Sequence, residues 1–97
     1  MKSVLITFNQ ALREDIVLIF DEIGITGYTF FEQVQGRGTS GGESHYGTHA
    51  WPTLNSSIIT VVENAKVNPL LDMLKRLDKR NEMLGLRAFV WSIENMI

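Results

Sequence analysis

One carboxylate and two histidines lie close together in a glycine-rich stretch of the chain, in the pattern E-x-H-x-x-x-H: Glu43, His45 and His49. Imidazole and carboxylate groups are good ligands for zinc, copper or nickel, so these three residues form a candidate divalent metal site. A histidine pair at i and i+4 indicates metal most strongly on a helix, and this stretch has no helical pattern. Two alternative interpretations remain. The histidines could be ordinary polar residues exposed on a loop, or one of them could act as a general base.

A candidate anion site precedes this cluster, in the sequence Gly36-Arg37-Gly38, which directly follows a strand-like run. Glycine has no Cβ, so backbone amides beside Gly36 and Gly38 could approach a phosphate or carboxylate closely. Arg37 could clamp such an anion through its guanidinium group, or it could be a solvent-exposed arginine. The G-x-G pattern is a weak motif by itself. It indicates an anion site only because it directly follows a predicted strand.

Both candidates belong to one long stretch, residues 36–52, which holds five of the eight glycines and both histidines. A loop of this length inside a small domain is usually functional or disordered. Trp51 and Pro52 lie where the stretch returns to the next strand. Trp51 could pack against the base of the loop or a neighbouring subunit, or it could stack on an adenine ring.

Six elements must position this loop. Runs rich in β-branched and aromatic residues predict strands over 2–8, 26–35, 57–63 and 86–93. Apolar residues at helical spacing predict a first helix that follows a cap at Asn9 and ends at Gly24. A second helix is predicted to begin at Asn68 and Pro69, since asparagine is a good N-cap and proline suits the first helical position.

The resulting order, β-α-β-β-α-β, predicts one α+β domain over residues 1–97 with a ferredoxin-like fold. In this fold an antiparallel sheet carries two helices on one face, and the long loop joins strands 2 and 3. Right-handed crossovers would place the first and third strands at the centre of the sheet.

The strands are apolar on both faces, although two helices can cover only one. Leu5, Ile59 and Phe89 alternate with other apolar residues along their strands. A sheet with one solvated face should instead alternate apolar and polar residues. We therefore expect the uncovered face to be buried by self-association.

Composition limits the function. A net charge of −2 and a pI near 5.6 argue against a general nucleic-acid binder. The sequence has no cysteine, which rules out thiolate chemistry, and the apolar run at 4–8 is too short for a membrane span or a signal-peptide core. We expect a cytoplasmic protein without membrane insertion. No nucleophile–base arrangement or P-loop is present in the sequence, so we expect no enzymatic activity.

The run GITGYTFFEQVQGRG, residues 24–38, resembles the nitrogen regulatory PII signalling family. There a helix ends in a similar glycine turn, and a strand leads into a G-x-G element at the base of the long T-loop. The strand SIITVVE and the final strand RAFVWSIENM extend the resemblance over nearly the whole chain. The resemblance implies a homotrimer that binds adenine nucleotides in clefts between subunits and reports their presence to a partner protein through the loop.

Carried over by residue, the resemblance makes Gly36 and Gly38 the glycines at the loop base. It places Ser40 near a glutamine that helps to hold a metal-bound oxoacid in the family. The segment KRNEMLGLR replaces the phosphate-binding B-loop, T-G-x-x-G-D-G-K, so that Gly85 and Arg87 are the residues that could substitute for it. We expect a divergent PII-like paralogue without the usual B-loop and C-terminal arginines.

The sequence thus predicts a PII-like trimeric sensor that binds a small anionic ligand, such as an adenine nucleotide. Its predicted ligand-binding residues are Gly36, Arg37, Gly38, Ser40, Gly85 and Arg87, and residues 36–56 would contact an unidentified regulated protein. The alternative is a metal-binding or metal-tolerance protein, similar to the CutA family, that uses Glu43, His45 and His49. The cofactor therefore remains open between an adenine nucleotide and a divalent metal.

Overall fold

A computed structural model describes residues 1–34 and 55–97 of the protein. Short 3₁₀ turns follow the first strand and precede the last. The strands and helices have these bounds: β1 Lys2–Asn9, α1 Arg13–Ile23, β2 Thr29–Val34, β3 Asn55–Val62, α2 Asn64–Arg80 and β4 Arg87–Ser92. The order is the β-α-β-β-α-β order predicted from the sequence.

The four strands form an antiparallel sheet in the order β2-β3-β1-β4. The first and third strands are central, as right-handed crossovers require. With two helices on one face, this arrangement confirms the predicted ferredoxin-like fold.

One face of the sheet packs against both helices and forms the core. From β1 it contributes Val4, Ile6 and Phe8, all of them buried. The helices bury a stripe of side chains spaced by three or four residues against it, as an amphipathic helix should. These helix residues are Ile16, Ile19 and Phe20 from α1 and Leu70, Leu74 and Leu77 from α2.

The boundaries of α1 follow local sequence signals. The Asn9 side chain accepts a hydrogen bond from the Ala11 amide at 2.8 Å, so it caps the 3₁₀ turn that leads into the helix. At the other end, Gly24 adopts a φ of +87°, and its amide donates to the Phe20 carbonyl at 2.9 Å. The buried Ile25 also donates to that carbonyl, at 2.8 Å, which completes a Schellman-type stop.

The start of α2 differs from the prediction. The helix begins at Asn64 rather than at Asn68, and Pro69 therefore lies inside it. Glu63 precedes the helix with extended backbone, and its carbonyl accepts the Lys66 amide at 2.9 Å. The additional turn is stabilised by Val67, which is half-buried against the core. The prediction of a helix start at Asn68-Pro69 was wrong, because the packing of Val67 against the core favours an earlier start more than the Asn-Pro pair favours a later one.

The other face of the sheet is not covered by either helix. Directly paired strand residues lie on the same face of an antiparallel sheet. The pairs Leu5–Ile59, Leu5–Phe89 and Ser3–Trp91 therefore place these side chains together on the uncovered face. Phe89 is 52% exposed and Trp91 46% exposed, so this part of the single chain presents large aromatic groups to solvent.

Candidate functional site

The long loop leaves and re-enters the sheet at one end. Val34, the last residue of β2, is paired with Asn55, the first residue of β3. Asn55 is also paired with Asn9 at the end of β1, so three strand ends lie side by side. The Gly36-Arg37-Gly38 segment begins two residues after Val34 in the sequence.

The pairing of β2 with β3 is irregular just before the loop. Phe31 is paired with Ser57, but Val34 is paired with Asn55, so β2 contains one additional residue between them. The Ser56 hydroxyl, which is buried, donates a hydrogen bond to the Glu32 carbonyl within this bulge at 2.5 Å. Such bulges bend a strand, increase its twist and are common beside functional sites.

A second hydroxyl of β3 binds the chain at the opposite end of β2. Thr60 is buried, and its Oγ1 donates to the Gly27 carbonyl at 2.7 Å, just before β2 begins. Between these two hydrogen bonds, Phe30 packs against the core and lies 6.3 Å from the Phe8 ring. In addition to its backbone pairing with β3, the edge strand β2 is thus held by side-chain hydrogen bonds near both of its ends.

The two described residues of the predicted ligand site lie in and after the turn that leads into β4. Gly85 has a φ of +71°, a conformation that favours glycine. The exposed Arg87 begins β4, and its Nη1 donates to the Leu86 carbonyl at 2.8 Å. The Asp78 carboxylate accepts the Leu86 amide at 3.3 Å, which ties this turn to α2.

Arg87 and Val34, the last described residue before the loop, lie at the same end of the sheet but on the two opposite edge strands. Arg87 is paired with Thr7, Thr7 with Ser57, and Ser57 with Phe31. These residues form a row across all four strands. With neighbouring strands about 4.8 Å apart, the backbones of β2 and β4 are separated by about 14 Å along this row. The strand pairing of one chain therefore does not bring Arg87 close to the end of β2.

The other predicted site residues, Gly36, Arg37, Gly38, Ser40, Glu43, His45 and His49, lie outside the described residues. Within residues 1–34 and 55–97 no group of three or more histidine, aspartate or glutamate side chains could hold a metal ion. None of the helices in these ranges combines the length and apolarity needed to cross a bilayer.

Ser56, Thr60 and Asp78 also shape this region, although the sequence patterns did not predict a role for them. A signal for two of them was present. Ser56 and Thr60 occupy the covered face of β3 in alternation with Ile58 and Val62, where apolar residues are expected. A buried hydroxyl on an apolar face requires a hydrogen-bond partner, so both positions could have been identified as backbone-binding residues.

Comparison with known proteins agrees with this fold. The family model described as nitrogen regulatory protein P-II matches residues 1–97. No curated protein sequence matches the chain significantly.

Solved structures of CPII, a nitrogen regulatory PII-like protein from Thiomonas intermedia K12, superpose well on the chain. The structure bound to ADP and bicarbonate has 27% identity and a TM-score of 0.74, covering 95% of this chain and 84% of that one. A second, bound to ADP, AMP and bicarbonate, has 25% identity and a TM-score of 0.73 with the same coverage.

A PII-like signaling protein from Thermus thermophilus has the same fold, with 22% identity and a TM-score of 0.59 over 95% of this chain and 85% of that chain. The match of the family model to the full chain, together with the observed strand order, shows that this protein belongs to the nitrogen regulatory protein P-II family.

Proposed function

We propose that the protein is a PII-like sensor that binds an adenine nucleotide, with or without a small anion such as bicarbonate, beside the Gly36-Arg37-Gly38 segment. The loop over residues 36–56 would then report ligand occupancy to a regulated partner protein. The observation that carries this proposal is the similarity to CPII, whose structures contain ADP, AMP and bicarbonate at 25–27% identity.

The geometry of the sheet favours a ligand site formed between two subunits. The loop base follows β2 and Arg87 begins β4, at opposite edges of the sheet. In a homotrimer that buries the uncovered face, the β4 edge of one subunit could lie beside the loop base of the next. Arg37 from one chain and Arg87 from another would then face the same phosphate groups.

Affinity measurements on three variants test the site. Arg37→Ala and Arg87→Ala should each remove a charge-assisted hydrogen bond worth about 1.5–3 kcal/mol, which weakens ADP binding by about tenfold to a hundredfold. Gly38→Val should block the close approach of the backbone to the phosphates. Isothermal titration calorimetry with ADP and AMP, each with and without bicarbonate, measures the three effects.

The matched control is Lys75→Ala, which removes an exposed cation from the middle of α2. It changes the net charge as the arginine variants do, but Lys75 is not one of the predicted ligand-binding residues. Its ADP affinity should therefore stay at the wild-type value. Absence of any thermal stabilisation by millimolar ADP, AMP, ATP, cyclic nucleotides or bicarbonate would contradict the proposal, because a ligand of the folded state raises the melting temperature.

The same assay tests the metal alternative. Zinc or copper should stabilise the protein if Glu43, His45 and His49 bind one ion, and this effect should weaken below about pH 6 as the histidines become protonated. A His45→Ala, His49→Ala double variant should then lose the metal response and keep the response to ADP. Equal metal responses in the wild type and the double variant would exclude this metal site.

A further inference from the structure

One row of residues on the uncovered face of the sheet differs from the rest of that face. Away from this row, the large side chains that β1, β3 and β4 place there are apolar: Leu5, Ile59, Val61, Phe89 and Trp91. Near the start of β3 and the end of β1, three directly paired residues instead carry two hydroxyls and a guanidinium: Ser57, Thr7 and Arg87. We call these three residues the polar row. Their pairing places all three side chains on the same face of the sheet.

The polar row offers hydrogen-bond donors and one positive charge. Arg87 directs Nη1 to the Leu86 carbonyl at 2.8 Å, and this bond uses only one of the five N–H groups of a guanidinium. Each hydroxyl can donate one more hydrogen bond. The strands β1, β3 and β4 contain no aspartate or glutamate, so they supply no carboxylate to pair with Arg87. Several donors around one cation, without a carboxylate on the same strands, suit a small oxyanion.

Assembly would increase the need for such an anion. Ser57 is already buried in the single chain, whereas Arg87 is exposed. A trimer that buries the uncovered face would take the Arg87 charge out of water as well. A buried charge is unfavourable unless an opposite charge and hydrogen bonds accompany it. A bound oxyanion meets both requirements.

We propose that the polar row is a subsite for a small oxyanion, either free bicarbonate or a phosphate group of the nucleotide. Arg87 supplies the charge, and the hydroxyls of Thr7 and Ser57 donate hydrogen bonds from the two neighbouring strands. Arg87 and Ser57 are two strand spacings apart, about 10 Å, so an anion above Thr7 lies between them. The inference rests on the proposed function, to which it adds Thr7 and Ser57 as ligand-binding residues.

Ser3 provides a matched control for the hydroxyl variants. It is a buried serine of the uncovered face, as Ser57 is, but its direct partners are Val61 and Trp91. It precedes Thr7 by four residues in β1, which corresponds to about 13 Å along the strand. Ser3→Ala and Ser57→Ala therefore remove the same group from the same face, and only Ser57→Ala removes it from the polar row.

The first experiment locates the anion. Sodium bicarbonate, sodium phosphate and ADP are each titrated into isotopically labelled protein at constant ionic strength, and backbone amide signals are followed by NMR. At least one of the three should shift the signals of Thr7, Ser57 and Arg87 in a saturable way and leave the signal of Ser3 unchanged. Bicarbonate as the effective probe identifies a free anion as the ligand, and a response to phosphate and ADP identifies a phosphate group.

The second experiment measures the affinity for the effective probe in the variants, at a temperature where circular dichroism shows each of them folded. Thr7→Val and Ser57→Ala should each weaken binding by about tenfold, because each removes a hydrogen bond to a charged ligand. Thr7→Ser, which keeps the hydroxyl, and Ser3→Ala should bind as the wild type does.

The outcomes separate this inference from the proposed function. ADP binding that is unchanged in Thr7→Val and Ser57→Ala, with no response of the polar row to bicarbonate or phosphate, would overturn the subsite and leave the nucleotide sensor intact. Bicarbonate binding that requires Thr7 and Ser57, in a protein that does not bind ADP, would support the subsite and refute the nucleotide sensor. A wild type whose polar row responds to none of the three probes would also overturn the subsite.

Discussion

At the scale of single residues, two glycines close to each other in the chain have different structural roles. Gly24 ends α1 with a φ of +87°, a conformation that costs other residues free energy. Gly27 has no such φ, and a Cβ added there would meet no atom within 4 Å. At Gly24 the nearest atom to an added Cβ is the Lys66 Nζ, at an ordinary contact distance of 3.6 Å. Backbone conformation, rather than space, therefore makes Gly24 necessary.

This difference predicts the stability of two matched variants. Gly24→Ala should lower the free energy of unfolding by about 1–2 kcal/mol, because alanine is strained in the left-handed region. Gly27→Ala should leave that free energy nearly unchanged. Urea denaturation followed by circular dichroism measures both, and an equal loss of stability in the two variants would show that φ is not the cause.

At the scale of secondary structure, α2 is longer than its sequence suggests and contains an internal proline. Pro69 is exposed and is the sixth residue of the helix that begins at Asn64. Proline has no amide hydrogen, so the carbonyl of Ala65 lacks its usual helical partner, and the proline ring crowds that carbonyl. Burial of Leu70 and partial burial of Val67 keep the first turns helical nevertheless.

Replacement of this proline should therefore stabilise the protein. Pro69→Ala restores one backbone hydrogen bond and removes the crowding, and we expect the free energy of unfolding to rise by about 1–3 kcal/mol. The control is Asn68→Ala, an adjacent exposed position at which the backbone amide is retained. Calorimetry on both variants tests the expectation, and a loss of stability in Pro69→Ala would contradict it.

At the scale of the whole molecule, the uncovered face of the sheet exposes large apolar side chains to solvent in the single chain. It combines apolar side chains from all four strands, including Phe31, Ile59, Val61, Phe89 and Trp91. Contiguous exposed apolar surface of this kind usually marks an interface. A homotrimer that buries this face would account for it and would also create the clefts in which we place the ligand.

An aspartate on this face should prevent assembly without unfolding the chain. Phe89→Asp changes a side chain that is already 52% exposed in the single chain, so the core should tolerate it. In the assembly, however, an unpaired buried charge is strongly unfavourable. Leu18→Asp is the control, because Leu18 is 64% exposed on α1, away from the sheet.

Light scattering should show a trimer for the wild type and for Leu18→Asp, and a folded monomer for Phe89→Asp. A wild-type protein that is monomeric at micromolar concentration would refute the trimer. Trimers in all three proteins would instead place the subunit interface elsewhere.

The sequence alone determined the features that depend on neighbouring residues. The four strands and the order of elements follow from β-branched and apolar periodicity, the cap at Asn9 from its short side chain, and the stop at Gly24 from the backbone freedom of glycine. The apolar character of both sheet faces was also visible, because alternation along a strand reports both of its faces. The run at 24–38, together with the two later strands that extend the resemblance, predicted the family that the comparisons show.

Tertiary structure alone decided where α2 begins and how β2 ends. Both features depend on contacts between residues far apart in the chain. Val67 packs on a core built from other elements. Ser56 in β3 donates a hydrogen bond to the Glu32 carbonyl in the neighbouring strand β2. A local pattern such as Asn68-Pro69 contributes about 1 kcal/mol as a helix start, and burial of an apolar side chain contributes more. At the start of α2 the long-range contact of Val67 therefore overrides the local signal of Asn68-Pro69.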